Sequence, residues 1–217
     1  DGAAWVMHLG GDPGRWEIYR NSLLIRLGRY EEARDGLDGL IARRPEYYAG
    51  YRVRASLNRR QGRYEAAAED FTKALKFHVD ARRTEAWLHY HRGTPLWIIG
   101  RLEEAAEDFR EVYRRTTCPT YANARLYLVL RDLGRDDEAR AALAEARQDQ
   151  ITEPWLGRVL DALAGEITPE QLVAEAGSDP TQLCEAFYYA GEICRLEGRD
   201  AEARDLFRAC VGLGDVP

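Results

Sequence analysis

The sequence predicts an all-α fold in which about six antiparallel helix pairs stack as an α-solenoid. A short motif built on a glycine returns five times along the 217 residues. Gly28 and Gly62 are 34 residues apart, and so are Gly100 and Gly134. Apolar side chains follow each glycine at intervals of three and four residues, which is the period of a helix that buries one face. A fixed period of this length is typical of helical repeat proteins.

The repeated motif starts at the residue before the glycine and ends at an alanine. Its five copies are Leu27–Ala33, Gln61–Ala67, Ile99–Ala105, Leu133–Ala139 and Glu197–Ala203. The glycine is predicted to end a first helix, because the residue after the last helical turn often takes a left-handed conformation that only glycine adopts cheaply. The alanine is predicted to let the second helix approach the first closely, since a larger side chain would clash there.

The second helix of each pair carries a large apolar residue four positions after the alanine and another core residue three positions later. The large residues are Leu37, Phe71, Phe109, Leu143 and Phe207, and the later ones are Leu40, Ala74, Val112, Ala146 and Cys210. These spacings place them on one helical face, which we predict is buried. Pro45 is predicted to end the second helix of the first pair.

These residues and their spacing resemble the consensus of the tetratricopeptide repeat (TPR) family. The resemblance covers roughly residues 14–213 and implies a right-handed α-solenoid of five clear repeats and one degenerate repeat. Residues 1–13 are predicted to be a leading segment and residues 14–217 the solenoid. The predicted repeats span about 14–47, 48–85, 86–119, 120–150, a degenerate 151–182, and 183–213.

Two stretches depart from the pattern. Pro95 lies inside a predicted first helix, directly after Gly93 and Thr94, where proline removes a hydrogen bond and should bend the helix. This bend is either a tolerated irregularity or a local widening of a groove. Residues 151–182 are predicted to form a shortened helix pair, whose second helix starts with a capping box between Thr168 and Gln171.

The C-terminal part carries a second resemblance. The strings Pro154-Trp155-Leu156-Gly157, Gly165-Glu166-Ile167 and Cys184–Glu192 are similar to bacterial TPR lipoproteins of the NlpI type. In those proteins a short pair with a tryptophan precedes an aromatic-rich helix. The resemblance implies a bacterial source, a dimer-prone scaffold and a place in the cell envelope organising peptidoglycan enzymes. The compartment stays open between cytoplasm and periplasm.

Composition and charge exclude some classes of function. The net charge of -6 argues against general nucleic-acid binding. No apolar run approaches the roughly 18 residues of a membrane-spanning helix, so direct membrane insertion is not predicted. The cations are 29 arginines and only two lysines, so most of them can grip a carboxylate with two hydrogen bonds.

No catalytic, metal or cofactor site is predicted. Cysteines stand at four positions, Cys118, Cys184, Cys194 and Cys210. Because they lack C-x-x-C spacing, they are interpreted as small buried side chains rather than metal or redox groups. His89 and His91 project from different sides of a helix, cannot chelate one metal, and are interpreted as solvated or core-edge residues. Acidic pairs such as Glu103 and Glu104 are interpreted as solvated first-turn residues that favour the helix dipole.

A binding groove follows from the family resemblance, because the first helix of each TPR pair lines a concave surface. Counting from each glycine, the candidate contacts are Arg52, Arg59, Trp87, Tyr90, Trp97, Tyr121, Arg125, Arg131, Tyr188 and Arg195. Aromatic and arginine side chains dominate binding energy at protein interfaces. We therefore predict a groove for a protein or an extended or helical peptide of acidic and apolar character. The alternative is that an individual aromatic packs between neighbouring helices.

The predicted function is a non-catalytic adaptor or scaffold that holds a partner protein or peptide. Two alternatives stay open. The chain is either a structural subunit that self-assembles through the solenoid ends, with a homodimer as the simplest case, or a regulatory module cut from a larger protein.

Overall fold

The computed structural model describes residues 13–79, 82–116, 120–148 and 153–213. Twelve helices and no β-strand are present in these ranges, which confirms the all-α helical-repeat prediction. The chain divides into two compact units, residues 1–115 and 116–217.

Six helices build the first unit, the last of them reaching one residue beyond its boundary. They are α1 (Pro13–Arg26), α2 (Tyr30–Arg43), α3 (Tyr48–Arg60), α4 (Tyr64–Phe77), α5 (Arg82–Ile98) and α6 (Leu102–Thr116). Six further helices build the second unit. They are α7 (Tyr121–Asp132), α8 (Asp136–Gln148), α9 (Pro154–Leu163), α10 (Pro169–Glu175), α11 (Pro180–Leu196) and α12 (Asp200–Gly212).

The repeated glycines end the first helices as the sequence predicts. Gly28 has a φ of 72°, and its N–H donates to the carbonyl of Ile25 at 3.1 Å. The N–H of Arg29 donates to the carbonyl of Leu24 at 2.9 Å, which completes a Schellman-type cap. The other four motif glycines have φ values between 70° and 79°: Gly62, Gly100, Gly134 and Gly198. The left-handed turn is therefore common to all five clear repeats.

The first unit has a core that passes from one helix pair to the next. One cluster joins α1, α2 and α3 through Leu24, Ile25, Ala33, Leu37, Val53 and Leu57. The next cluster joins α3, α4 and α5 through Tyr51, Ala55, Phe71, Ala74 and Leu88. Helix α3 thus contributes to both clusters. The first and second pairs therefore each share a core with the first helix of the pair that follows, as expected for a solenoid.

The predicted buried positions hold for most of the chain. All five motif alanines are buried, and so are Leu37, Phe71, Phe109 and Leu143. In the last pair, Phe207 and Cys210 are only half-buried. Among the described helices α12 packs mainly on α11, so its outer side lacks the cover that α4 receives from α5.

The second unit is organised around the short helix α9. Its buried side chains are Trp155, Leu156, Val159, Leu160, Ala162 and Leu163. This helix contacts α7, α8, α10 and α11, so the shortened pair lies inside the unit rather than at its edge. The predicted capping box is confirmed: Thr168 Oγ1 accepts from the N–H of Gln171 at 3.2 Å, and Gln171 Oε1 accepts from the N–H of Thr168 at 2.8 Å.

Helix α5 runs without interruption through Gly93 and Pro95 to Ile98, so the proline does not end the helix. Gly93 has a packing role that the sequence does not reveal. A Cβ atom at Gly93 would lie 2.8 Å from Cε1 of the fully buried Phe109.

Candidate functional site

Asp70 is a buried carboxylate that ties helices of the first unit together. Arg54 on α3 donates to its two oxygens at 2.7 and 2.9 Å, and Asn58 donates at 3.1 Å. The same guanidinium reaches back to Asp38 on α2 at 2.5 Å. One arginine therefore links the two helices of its own pair to the pair before it.

The next repeat has the same arrangement around Asp108. Arg92 on α5 donates to both oxygens at 2.7 and 2.8 Å and reaches back to Thr72 on α4 at 3.2 Å. His89 Nδ1 lies 2.7 Å from the same carboxylate, so this histidine is a core-edge residue with a defined partner. Sequence reasoning missed both pairs, although an arginine 16 residues before an aspartate in two adjacent repeats was the available signal. Because both oxygens of each carboxylate are engaged, these groups stabilise the fold rather than present a ligand site.

Exposed arginine–glutamate pairs mark the motif itself. Arg29 donates to Glu32 at 2.5 and 2.6 Å, and Arg101 donates to Glu104 at 2.6 Å. The arginine hydrogen bond lowers the pKa of Glu104. The interpretation of Glu104 as merely solvated was therefore incomplete, because it is paired with the arginine of the same motif.

In the first unit, the structure brings together some of the candidate groove residues. The guanidinium of Arg52 on α3 lies 5.4 Å from the ring centroid of Trp87 on α5. Trp87 in turn lies 3.9 Å from the ring of His91 and 6.1 Å from that of Phe71. Tyr90 lies 6.1 Å from the ring of Phe109. Trp87 and Tyr90 thus each have one side on the core, which agrees with the packing alternative, and each is half-buried rather than enclosed.

Arg59 on α3 and Trp97 on α5 are the other two candidates in this unit. Both are half-buried. They occupy the same position in successive first helices, three residues before the motif glycine.

In the second unit, two of the three candidates on α7, Tyr121 and Arg131, have contacts within the unit. The hydroxyl of Tyr121 donates to Glu185 Oε2 at 2.7 Å, and its ring stacks on Tyr189 at 6.3 Å. Arg131 donates to the hydroxyl of Tyr127 at 2.8 Å and pairs with Asp136 at 3.0 Å. Arg125 is half-buried.

The two candidates on α11 also have internal partners. Arg195 donates to Glu192 and to Asp132, each at 2.8 Å. The ring of Tyr188 lies 5.1 Å from Tyr189 and 6.3 Å from Phe207. These contacts favour the packing alternative for Tyr121, Arg131 and Arg195 more strongly than for the Arg52–Trp87 pair.

Glu185 is a half-buried carboxylate of the second unit that accepts two side-chain hydrogen bonds. Trp155 Nε1 donates to Glu185 Oε2 at 2.9 Å, beside the bond from Tyr121. Burial raises the pKa of Glu185, and the hydrogen bonds from Tyr121 and Trp155 partly oppose that rise. Burial also raises the pKa of Tyr121, so the phenol stays protonated and acts as a donor. The sequence placed Glu185 on the first helix of a repeat, but it did not predict the hydrogen bonds from Tyr121 and Trp155.

An apolar stripe is exposed on α1. Trp16, Tyr19, Leu23 and Leu27 are exposed at 55%, 58%, 37% and 71% of their surface. Trp16, Tyr19 and Leu23 lie on α1 and Leu27 directly follows its last residue, and their spacings of three, four and four residues place them on one side of the helix and its first turn beyond. Trp16 and Tyr19 contact each other edge to face, with ring centroids 6.3 Å apart.

A shallow groove of about 430 Å³ lies between α10 and α12. Its lining has an apolar part and an acidic part, made by Pro169, Val173, Leu206 and Ala209 and by Glu170, Glu202 and Asp205. Arg199 donates to Glu170 at 2.7 Å and to Glu202 at 2.5 Å, so much of the acidic charge is already neutralised.

Within the part of the chain that the structure describes, no group of three or more histidine, cysteine, aspartate or glutamate side chains is placed to hold a metal ion. The helices of the same ranges are all too short or too polar to cross a bilayer.

The comparisons with known proteins fit this geometry. Residues 22–86 match the family model of the tetratricopeptide repeat, which covers α2, α3 and α4 and parts of α1 and α5. No curated protein matches the chain by sequence.

Solved structures with the same fold include several TPR proteins. YrrB, described as "a TPR protein with an unusual peptide-binding site", is 17% identical, with a TM-score of 0.55 over 91% of this chain and 84% of that one. A tetratricopeptide repeat protein from Parabacteroides merdae is 16% identical, with a TM-score of 0.59 over 94% of this chain and 80% of that one. The MamA protein is 14% identical, with a TM-score of 0.57 over 92% and 91%. At these identities the likeness concerns the fold.

Proposed function

We propose that this protein is a non-catalytic adaptor that binds a partner peptide or protein on the first helices of its repeats. The observation that carries the proposal is the Arg52–Trp87 contact at 5.4 Å, because it joins two successive first helices into one half-buried patch of cation and aromatic rings. Solenoid repeats present extended surfaces of this kind to partners. YrrB, which has the same fold, is described as having a peptide-binding site.

The chemistry of the patch defines the ligand. Trp87, Tyr90 and His91 offer ring faces and edges, and Arg52 brings a guanidinium that is half-buried beside them. A ligand with a carboxylate next to an apolar or aromatic side chain would engage both kinds of group. We therefore propose an acidic and apolar peptide segment as the partner of this patch.

The test is selection from a displayed library of random peptides against the intact protein. Enriched peptides should combine Asp or Glu with apolar residues, and Arg52→Glu should weaken their binding about tenfold or more. Arg60→Glu is the matched control, because Arg60 is an exposed arginine on the same helix. No enriched class, or equal losses from both variants, would exclude this patch as the binding site. Thermal unfolding of each variant checks that the fold is retained.

Self-association is the second candidate function, and the exposed stripe on α1 favours it. Exposed apolar side chains that line one helix face commonly mark an interaction site. A second copy of the chain is the proposed occupant. Leu23→Asp should shift a self-associated species to monomer in sedimentation velocity, whereas Val79→Asp, at a residue that is 78% exposed outside the stripe, should not. A monomer at all concentrations for the unaltered protein would exclude this function.

The bacterial source and the envelope setting rest on the NlpI-type resemblance of residues 154–192 alone. An export assay with the full gene product would test the compartment.

A further inference from the structure

We propose that Cys184 and Cys210 form a reversible intrachain disulfide that fastens α11 to α12. This pair is a modification site separate from the binding patch on α3 and α5. The Sγ atoms of the two cysteines lie 3.0 Å apart, and both thiols are free. An S–S bond is about 2.0 Å long, so closure requires an approach of only about 1 Å.

The packing of α11 against α12 holds the two sulfurs in place. A Cβ atom at Gly191 would lie 2.7 Å from Cε1 of Phe207, so the two helices are in close contact at that point. Tyr188 adds a second contact with the Phe207 ring at 6.3 Å. Cys184 lies toward the start of α11 and Cys210 toward the end of α12, as an antiparallel pair requires. Thiol proximity is therefore a consequence of helix packing and not of a mobile loop.

Cys184 and Cys210 differ from a buried structural thiol in their solvent exposure. Cys194 is fully buried, whereas Cys184 and Cys210 are half-buried and within reach of a small reagent. The sequence interpretation of the cysteines as buried side chains does not hold for Cys184 and Cys210, which are half-buried. Cys118 lies outside the described residues.

The chemistry is thiol–disulfide exchange with a small disulfide such as oxidised glutathione. One protein thiolate attacks a glutathione sulfur and releases one glutathione thiolate, leaving a mixed disulfide. The second protein thiolate attacks the protein sulfur of that mixed disulfide and releases the second glutathione. Two electrons pass to glutathione, and the two thiol protons end on the two released glutathione molecules.

Burial and the neighbouring Cys184 raise the pKa of Cys210 to about 12. Little thiolate forms on this sulfur at neutral pH, so exchange should be slow at pH 7 and faster at pH 9. A disulfide that forms slowly, only under sustained oxidation, would stabilise the last helix pair without responding to brief changes in redox conditions.

The test uses the intact protein equilibrated with oxidised or reduced glutathione. After oxidation, peptide mass mapping should show a Cys184–Cys210 link, with a mass lower by two hydrogen atoms. The bond closes a 26-residue separation, so the oxidised protein should melt roughly 5 °C or more above the reduced protein. Addition of dithiothreitol should reverse both changes.

Matched variants distinguish this bond from other thiol chemistry. Cys194→Ala should keep both the link and the melting shift, whereas Cys184→Ser and Cys210→Ser should each lose them. Glutathione adducts on both cysteines without a link, or a link to Cys118 or Cys194, would overturn the proposal. So would an unchanged melting temperature in the linked protein.

Discussion

Gly93 faces the ring of Phe109 so closely that no side chain fits between them. The same relationship holds in the last pair, where Gly191 faces Phe207 at a Cβ distance of 2.7 Å. In the second repeat, Ala55 shares a core cluster with Phe71. Each of these small residues stands seven positions before a motif glycine, and each phenylalanine nine positions after it. A phenylalanine on the second helix thus requires a very small residue opposite it.

Gly93→Ala is expected to destabilise the protein by about 1–3 kcal/mol through overpacking. A helix-interior alanine by itself gains about 0.5–1 kcal/mol over glycine, but the clash with a fully buried ring outweighs that gain. Gly39→Ala is the control with the opposite sign. Its Cβ would meet only the far end of the exposed Arg43 side chain, at 3.3 Å, which can shift, so the substitution should stabilise the protein. The midpoints of urea unfolding measure the stability change in each variant. A change of the same sign in Gly93→Ala and Gly39→Ala would contradict the packing argument.

Asp108→Ala is expected to cost about 3 kcal/mol or more, because Arg92 would be left half-buried without its carboxylate. Glu104→Ala, on the same helix, removes an exposed arginine partner and should cost less than about 1 kcal/mol. Chemical denaturation of both variants measures the loss of stability in each. Replacing both partners, with Arg92→Met and Asp108→Leu, should recover part of the loss. Equal costs for Asp108→Ala and Glu104→Ala would show that burial adds nothing to the Asp108 pair.

Glu185 should make the stability of the protein depend on pH in a definite direction. Since burial raises its pKa above the ordinary 4.5, the folded protein holds this proton more tightly than the unfolded chain. The stabilisation is complete below pH 4.5 and is lost as pH rises through the folded-state pKa. As the pH rises from 4 to 7, the unaltered protein should therefore lose stability relative to Glu185→Gln, which does not titrate. The midpoints of denaturant unfolding at each pH measure this difference.

Glu170→Gln provides the control of opposite sign for this experiment. The hydrogen bond from Arg199 is the main cause that lowers the pKa of Glu170 to about 2. Its contribution is present above pH 4.5 and is lost on acidification toward that value. The relative stability of Glu170→Gln should thus improve as pH falls from 5 to 3. The same trend in both variants would contradict the assignment.

Tyr121→Phe is expected to raise the pKa of Glu185 further, because it deletes a hydrogen bond to the carboxylate. Trp155→Phe should act in the same direction. A titration of the glutamate side-chain carbons by NMR measures the shift directly. Tyr19→Phe, at an exposed tyrosine of α1, should leave the Glu185 titration unchanged. A Glu185 midpoint that does not move in Tyr121→Phe would show that the phenol is not its partner in solution.

The candidate binding residues show how far sequence reasoning reaches. Counting from the glycines placed all ten on first helices, as the structure has them. The contact of Arg52 with Trp87 was not predicted and comes from the structure. The counting could not tell that Tyr121 and Arg195 are engaged by Glu185 and Asp132, because those partners lie 64 and 63 residues away in the chain. Whether the ten residues bind a partner stays a prediction.

The sequence by itself determined the helices, their turns and their caps, because these depend on interactions within a few residues. The left-handed Gly28, the capping box from Thr168 to Gln171 and the buried stripe through Leu37 follow from local backbone geometry and period. Only the tertiary structure decided the contacts between helices, such as Arg92 with Asp108 and Cys184 with Cys210. Those contacts depend on how each helix is rotated against its neighbour, and the packing of large side chains against small ones sets that rotation across the whole pair.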